Sequence, residues 1–140
     1  MKSPVTVDAS VFVNAFSPDE DGSDTSAEFL SQLRKDNVPL IQPTLFFPEV
    51  VASIARKEDD DEVAMELARE LKNFSNLSLV DLDEELADFV SEIAAKHRLR
   101  ASDAVYAAVA LRFGTELITL DKEQLKRFPK VLEVRKPHEH

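Results

Sequence analysis

The sequence contains no cysteine and no tryptophan, has only two glycines, and carries far fewer basic than acidic residues. Without cysteine there is no disulfide, no thiolate zinc site and no cysteine nucleophile, so any metal must be held by oxygen or imidazole. No apolar run approaches the roughly 20 residues that span a bilayer. The N-terminal segment lacks the apolar core and small-residue cleavage site of a secretory leader, so a cytoplasmic location without membrane association is expected. The shortage of base leaves a formal net charge of −10 and a pI near 4.7. That balance argues against a uniformly basic surface that holds nucleic acid by releasing its counterions. Part of the acidity is confined to two clusters, Asp19 to Asp24 and Glu58 to Glu62, which read as solvated loop and helix-start segments.

What is present is enough for one domain. A chain of 140 residues, 44% apolar and 31% charged, falls within the soluble globular class. No repeat, low-complexity tract or flexible linker divides it. Residues 1–135 are expected to form the domain and residues 136–140 a polar, disordered tail. Five short apolar runs suit buried strands: Val5 to Val7, Pro39 to Gln42, Leu77 to Val80, Leu117 to Leu120 and Val131 to Val134. Between them, apolar residues recur at helical spacing around Phe29–Leu33, Val50–Ile54, Val63–Phe74, Leu86–Ile93 and Val105–Phe113. Such alternation predicts an α/β fold: a three-layer sandwich with a parallel sheet between helices. In open sheets of this kind, sites form beyond the carboxyl ends of the strands, where strand order reverses.

Four acids are expected at that edge. Asp8 closes the first strand and Asp121 the fourth. Glu49 follows Pro48, a residue favoured in a first helical turn, and Asp103 follows Ser102, a cap candidate for a helix from Ala104 to Phe113. Each acid alone has an ordinary explanation as a turn, cap or dipole-complementing residue. Together in one cleft they would repel one another until protonated or neutralised by a cation. A hard divalent ion such as Mg²⁺ or Mn²⁺ does this while leaving positions open for phosphate oxygens, which points to phosphodiester hydrolysis.

The segments around these acids resemble the motifs of the PIN-domain family, and in particular its VapC-type toxins. The resemblance runs from Val5 to about Val134. It is carried by Val5-Thr6-Val7-Asp8-Ala9-Ser10-Val11, Pro48-Glu49-Val50-Val51-Ala52-Ser53, Ala101-Ser102-Asp103-Ala104-Val105-Tyr106-Ala107-Ala108 and Leu117-Ile118-Thr119-Leu120-Asp121-Lys122. It implies a five-stranded parallel sheet in the order 3-2-1-4-5, with helices on both faces. It also implies metal-dependent RNA cleavage, inhibition by a small antitoxin protein, and a homodimer. By the same resemblance Asp8 and Asp103 are direct metal ligands, Asp121 completes the site, Glu49 binds metal or orients water, and Ser10 and Thr119 are supporting hydroxyls.

The neighbouring basic residues Arg56, Lys57, Arg98, Arg100 and Lys122 are candidate phosphate contacts, although each also reads as helix-surface charge. His97 reads as a cation at a helix end, and Tyr106 as a packing residue with its hydroxyl at the surface. Competing functions are a stand-alone RNA-processing nuclease, a catalytically inactive PIN-like binding protein, and a phosphoacceptor receiver module. The last would need Asp81 as acceptor and an acidic pair after the first strand, where Ala9 and Ser10 follow Asp8. Ser10 also breaks the Asp-x-Asp pattern of a haloacid-dehalogenase-type hydrolase.

Overall fold

The computed structural model describes residues 2–140. Its elements run β1 (Val5–Val7), α1 (Ala9–Ala15), α2 (Ser23–Lys35), β2 (Leu40–Pro43), α3 (Phe46–Glu58) and α4 (Asp61–Lys72). They continue with β3 (Leu77–Val80), α5 (Glu84–His97), α6 (Ala101–Phe113), β4 (Glu116–Ile118), α7 (Lys122–Arg127) and β5 (Val134–Arg135). All strand pairs are parallel, in the order β3-β2-β1-β4-β5, as the motif resemblance implies. Among the described residues no helix is long and apolar enough to cross a membrane.

Several details depart from the sequence reading, among them the ends of β2 and β4. Residues Ala9 to Ala15, unassigned from periodicity, form α1, because Asp8 caps its first turn and burial of Val11, Phe12 and Val13 outweighs their modest helix propensity. The helix α6 begins at Ala101, with Arg100 at the cap position, so Ser102 lies inside the helix and Asp103 in its first turn. Strand β5 starts at Val134 and not at Val131, because the chain after α7 tightens into a 3₁₀ turn over the buried Phe128. There the Val131 and Leu132 amides both return to the Phe128 carbonyl, at 2.7 and 2.8 Å.

Helix α6 is the centre of the molecule. Every residue from Asp103 to Ala110 is buried, and four of these eight are alanines, so α5 packs closely on one side and β1, β2 and β4 on the other. A helix apolar all round belongs in an interior, and this one carries Asp103 there with it.

Strands β1 and β2 pair at Val5 and Leu40 only. Beyond that point the carboxamide of Gln42 bridges them. Its Oε1 accepts from the Val7 amide at 2.6 Å, and its Nε2 donates to the Val7 carbonyl at 2.7 Å. This side chain replaces a missing peptide partner just where β1 delivers Asp8. Gln42→Leu would strand both Val7 groups in the core at about 1–3 kcal/mol each, so chemical denaturation should show a loss of several kcal/mol. A loss below about 1 kcal/mol would mean that the strands re-pair without it.

The last residues lie against α2. Pro137 is buried, the His140 ring stacks edge-on to Phe29 at 5.4 Å, and His140 Nδ1 pairs with Glu116 Oε1 at 2.6 Å.

Candidate metal centre

Strands β1 and β4 are paired neighbours; Asp8 follows β1 directly, whereas β4 stops at Ile118 and not at Leu120, so Asp121 stands three residues past its end, at the cap of α7. The Asp8 amide donates to the Ile118 carbonyl at 2.8 Å, and Asp8 Oδ2 accepts from the Ser10 amide at 3.0 Å to cap α1. Two hydroxyls lock the adjoining loops. Ser10 Oγ accepts from the Leu120 amide at 3.1 Å, and Thr119 Oγ1 accepts from the Asp121 amide at 3.0 Å. Asp121 in turn caps α7 by accepting from the Gln124 amide at 2.9 Å.

Asp8 and Asp103 are joined by a residue that the sequence reading did not single out. Gln124 Nε2 donates to Asp8 Oδ1 at 3.0 Å and to Asp103 Oδ1 at 2.9 Å, so one amide nitrogen bridges carboxylates from β1 and α6. The only available sequence signal was misleading. Asp121-x-x-Gln124 has the spacing of a capping box, in which the glutamine would turn back to the cap amide. Thr119 already satisfies that amide, which frees Gln124 to point inward. On the solvent side, Arg100 spans the other pair of acids, with Nε 3.2 Å from Asp103 Oδ2 and Nη2 3.9 Å from Asp121 Oδ2.

Glu49 projects from the first turn of α3 into the cleft that holds Asp8, Ser10 and Lys57. Tyr106, one turn beyond Asp103, is 1% exposed, so its hydroxyl is buried beside Glu49 and not at the surface. The two groups lie close enough to affect each other's proton affinity without the alignment of a formed hydrogen bond. Lys57 is paired with Glu20 across this cleft. Asp81 follows the edge strand β3, two strands from β1, so it does not join Asp8 in a receiver-type site.

The electrostatics are those of crowded acids. Burial raises the Asp8 pKa above the ordinary aspartate value, and the Asp121 charge adds to this against the lowering effect of the Gln124 and Ser10 hydrogen bonds. Glu49 is raised by burial and by the charges of Asp8 and Asp103, and Tyr106 is pushed well above 10 by burial and by Asp8 and Glu49. Tyr106 is therefore a fixed O–H donor at any physiological pH.

Among the described residues, the buried side-chain polar atoms without a hydrogen-bond partner are Glu49 Oε1, Tyr106 Oη and Gln124 Oε1. All three belong to this cluster. No three acidic side chains among the described residues converge closely enough to enclose an ion as they stand. The donor set is nevertheless all oxygen and anionic, with buried oxygens left over, and suits a hard divalent cation.

A family model described as "PIN domain" matches residues 5–131. Solved structures share the fold over nearly the whole chain at low identity. The VapC20 toxin of Mycobacterium tuberculosis, described as cleaving the sarcin–ricin loop, is 16% identical with a TM-score of 0.73, covering 94% of this chain and 98% of that one. VapBC2 of Rickettsia felis, bound to a promoter DNA fragment, is 16% identical with a TM-score of 0.71, covering 95% and 98%. A toxin–antitoxin complex from Klebsiella pneumoniae is 19% identical with a TM-score of 0.67, covering 95% and 97%. No curated protein matches the sequence.

Proposed function

Because the chain belongs to the PIN-domain family, we propose that it is a divalent-metal-dependent ribonuclease and the toxin of a toxin–antitoxin pair. What supports this reading is that Gln124 joins Asp8 to Asp103, Arg100 joins Asp103 to Asp121, and Glu49 opens α3 into the cleft that holds Asp8, together with the three unpartnered buried polar atoms. Asp8 and Asp103 would hold the ion, Asp121 would complete its surroundings, and Glu49 would hold it or orient water. Bound Mg²⁺ or Mn²⁺ would supply a Lewis acid for the phosphoryl group and make an attached water more acidic.

The chain's own groups do the rest. Glu49 Oε1, raised in proton affinity and otherwise unpartnered, can take a proton from water in the cleft. Tyr106 keeps its hydroxyl proton and stands beside Glu49 with that donor unspent. Ser10 and Thr119 keep the β1 and β4 exits rigid, which holds the acids in place.

Although the whole molecule is acidic, Arg98, Arg100 and Arg127 line a depression of about 310 Å³ that also includes Asp103 and Glu123, the latter paired with Arg127 at 2.8 Å. These arginines are the phosphate contacts of the reading, delivering an RNA strand to the acids. Replacing Arg98 and Arg127 by alanine should weaken RNA binding about equally for all sequences and lower the log–log salt slope by about 0.7 per lost contact. An unchanged slope would place the RNA elsewhere.

Among the structural neighbours are a toxin–antitoxin complex and VapBC2, which supports a small antitoxin partner for this chain too. Co-expression with the product of an adjacent reading frame tests the toxin role. A partner that co-purifies and silences cleavage supports it, whereas cleavage unaffected by any adjacent product favours the stand-alone nuclease.

A further inference from the structure

Gln124 holds a position that the reading above leaves without a role. Its nitrogen sits between Asp8 and Asp103 and uses both protons, one on each carboxylate. Its oxygen, on the same carbon, is buried and accepts from nothing. A carboxamide with two satisfied donors and an idle acceptor inside a nest of acids has one orientation that suits the carboxylates alone and another that would suit a cation among them. Two carboxylates attract N–H donors, whereas a cation would repel them.

The side chain cannot easily leave. Gln124 is 2% exposed, and its backbone is fixed in α7 by the Asp121 cap at one end and the buried Phe128 at the other. Half a turn about the last side-chain torsion is the motion left to it. That rotation exchanges oxygen and nitrogen in nearly the same volume.

We propose that Gln124 is a fourth-element ligand of the centre, turning its carboxamide on metal binding so that Oε1 replaces Nε2 between Asp8 and Asp103. This rests on the reading that the site takes a divalent cation. Amide oxygens are ordinary ligands of hard cations, and a neutral one adds coordination without another negative charge beside Asp121 and Glu49. With Nε2 between them, the same side chain holds the two carboxylates together. Gln124 is thus a placeholder for the ion in one orientation and a ligand in the other.

Mn²⁺ binding, followed by the electron paramagnetic resonance signal of the free ion, tests this without reference to activity. Gln124→Leu keeps the bulk and removes the oxygen, and should weaken Mn²⁺ binding about tenfold or more. Gln124→Glu keeps an oxygen on the same stem and should bind at least as tightly as the unmodified protein. Equal or tighter binding by Gln124→Leu would overturn the ligand role and leave the amide as a plug. If Gln124→Leu does not fold, Gln124→Glu decides alone, and weaker binding than the unmodified protein overturns the role. Absence of Mn²⁺ binding by the unmodified protein would remove the metal reading itself and the ligand role with it. Normal binding unaffected by either substitution would remove only the role of Gln124.

Discussion

Glu49→Gln should melt at a higher temperature than the unmodified protein in metal-free buffer at neutral pH, while cleaving RNA about 10 to 100 times more slowly. The two effects have one cause. Burial and the charges of Asp8 and Asp103 raise the Glu49 pKa, so its ionised form is costly in the folded state. A carboxyl group with a raised folded pKa contributes its full stability below its unfolded pKa and loses it as pH rises through the folded value. The glutamine does not ionise, so the stability gain, on the order of 1 kcal/mol for relief at a strained functional position, should appear above that window. Below the ordinary glutamate range it should vanish, since Glu49 is then protonated in both states. Differential scanning calorimetry at pH 4 and pH 7.5 should therefore show a gain at the higher pH and little or none at the lower. Equal melting temperatures at pH 7.5, or a lower one for the variant, would contradict the picture of an over-acidic site awaiting a cation.

Mn²⁺ should produce the second large effect. A ligand that binds only the folded state at about 100 times its Kd adds about 2.7 kcal/mol, which for a domain of this size is roughly 5–15 °C in Tm. Protons and metal compete for the same oxygens, and Asp8 and Glu49 hold protons to higher pH than ordinary carboxyls do. The Mn²⁺ increment should therefore be greatest above the carboxylate range and shrink as pH falls through the raised values. A Tm unmoved by millimolar Mn²⁺, or a shift of equal size at every pH, would exclude carboxylate-held metal.

The alternation of short apolar strands with amphipathic segments was sufficient for the fold class, because a parallel sheet buried on both faces leaves that pattern directly in the chain. The strand order came from the motif resemblance and not from periodicity. Asp8 could be placed because the end of β1 is visible in sequence, whereas Asp121 lies three residues past the end of β4 and reaches the same edge as the cap of α7. Helix α1 could not, since Val11, Phe12 and Val13 form a β-favouring run that only capping and burial turn helical.

Two polar residues central to the arrangement leave no local mark in the sequence, for a common reason. Gln42 and Gln124 act through long-range side-chain hydrogen bonds, to Val7 across 35 positions and to Asp8 across 116. No local pattern encodes such a partner. The sequence likewise does not show the inward hydroxyl of Tyr106, because α6 is buried on all sides and a tyrosine one turn from an acid gives no sign of which way it faces.

The claim that Asp8 and Asp103 form a metal-dependent RNA-cleaving centre is tested most directly by end-labelled RNA incubated with the unmodified protein, Asp103→Asn and Asp81→Asn across a Mn²⁺ titration. The account predicts that the unmodified protein and Asp81→Asn cleave at the same positions and rates, that chelation by EDTA stops both, and that Asp103→Asn is slower by more than about a hundredfold. Cleavage by Asp103→Asn at the unmodified rate, or cleavage that persists in EDTA, would contradict it.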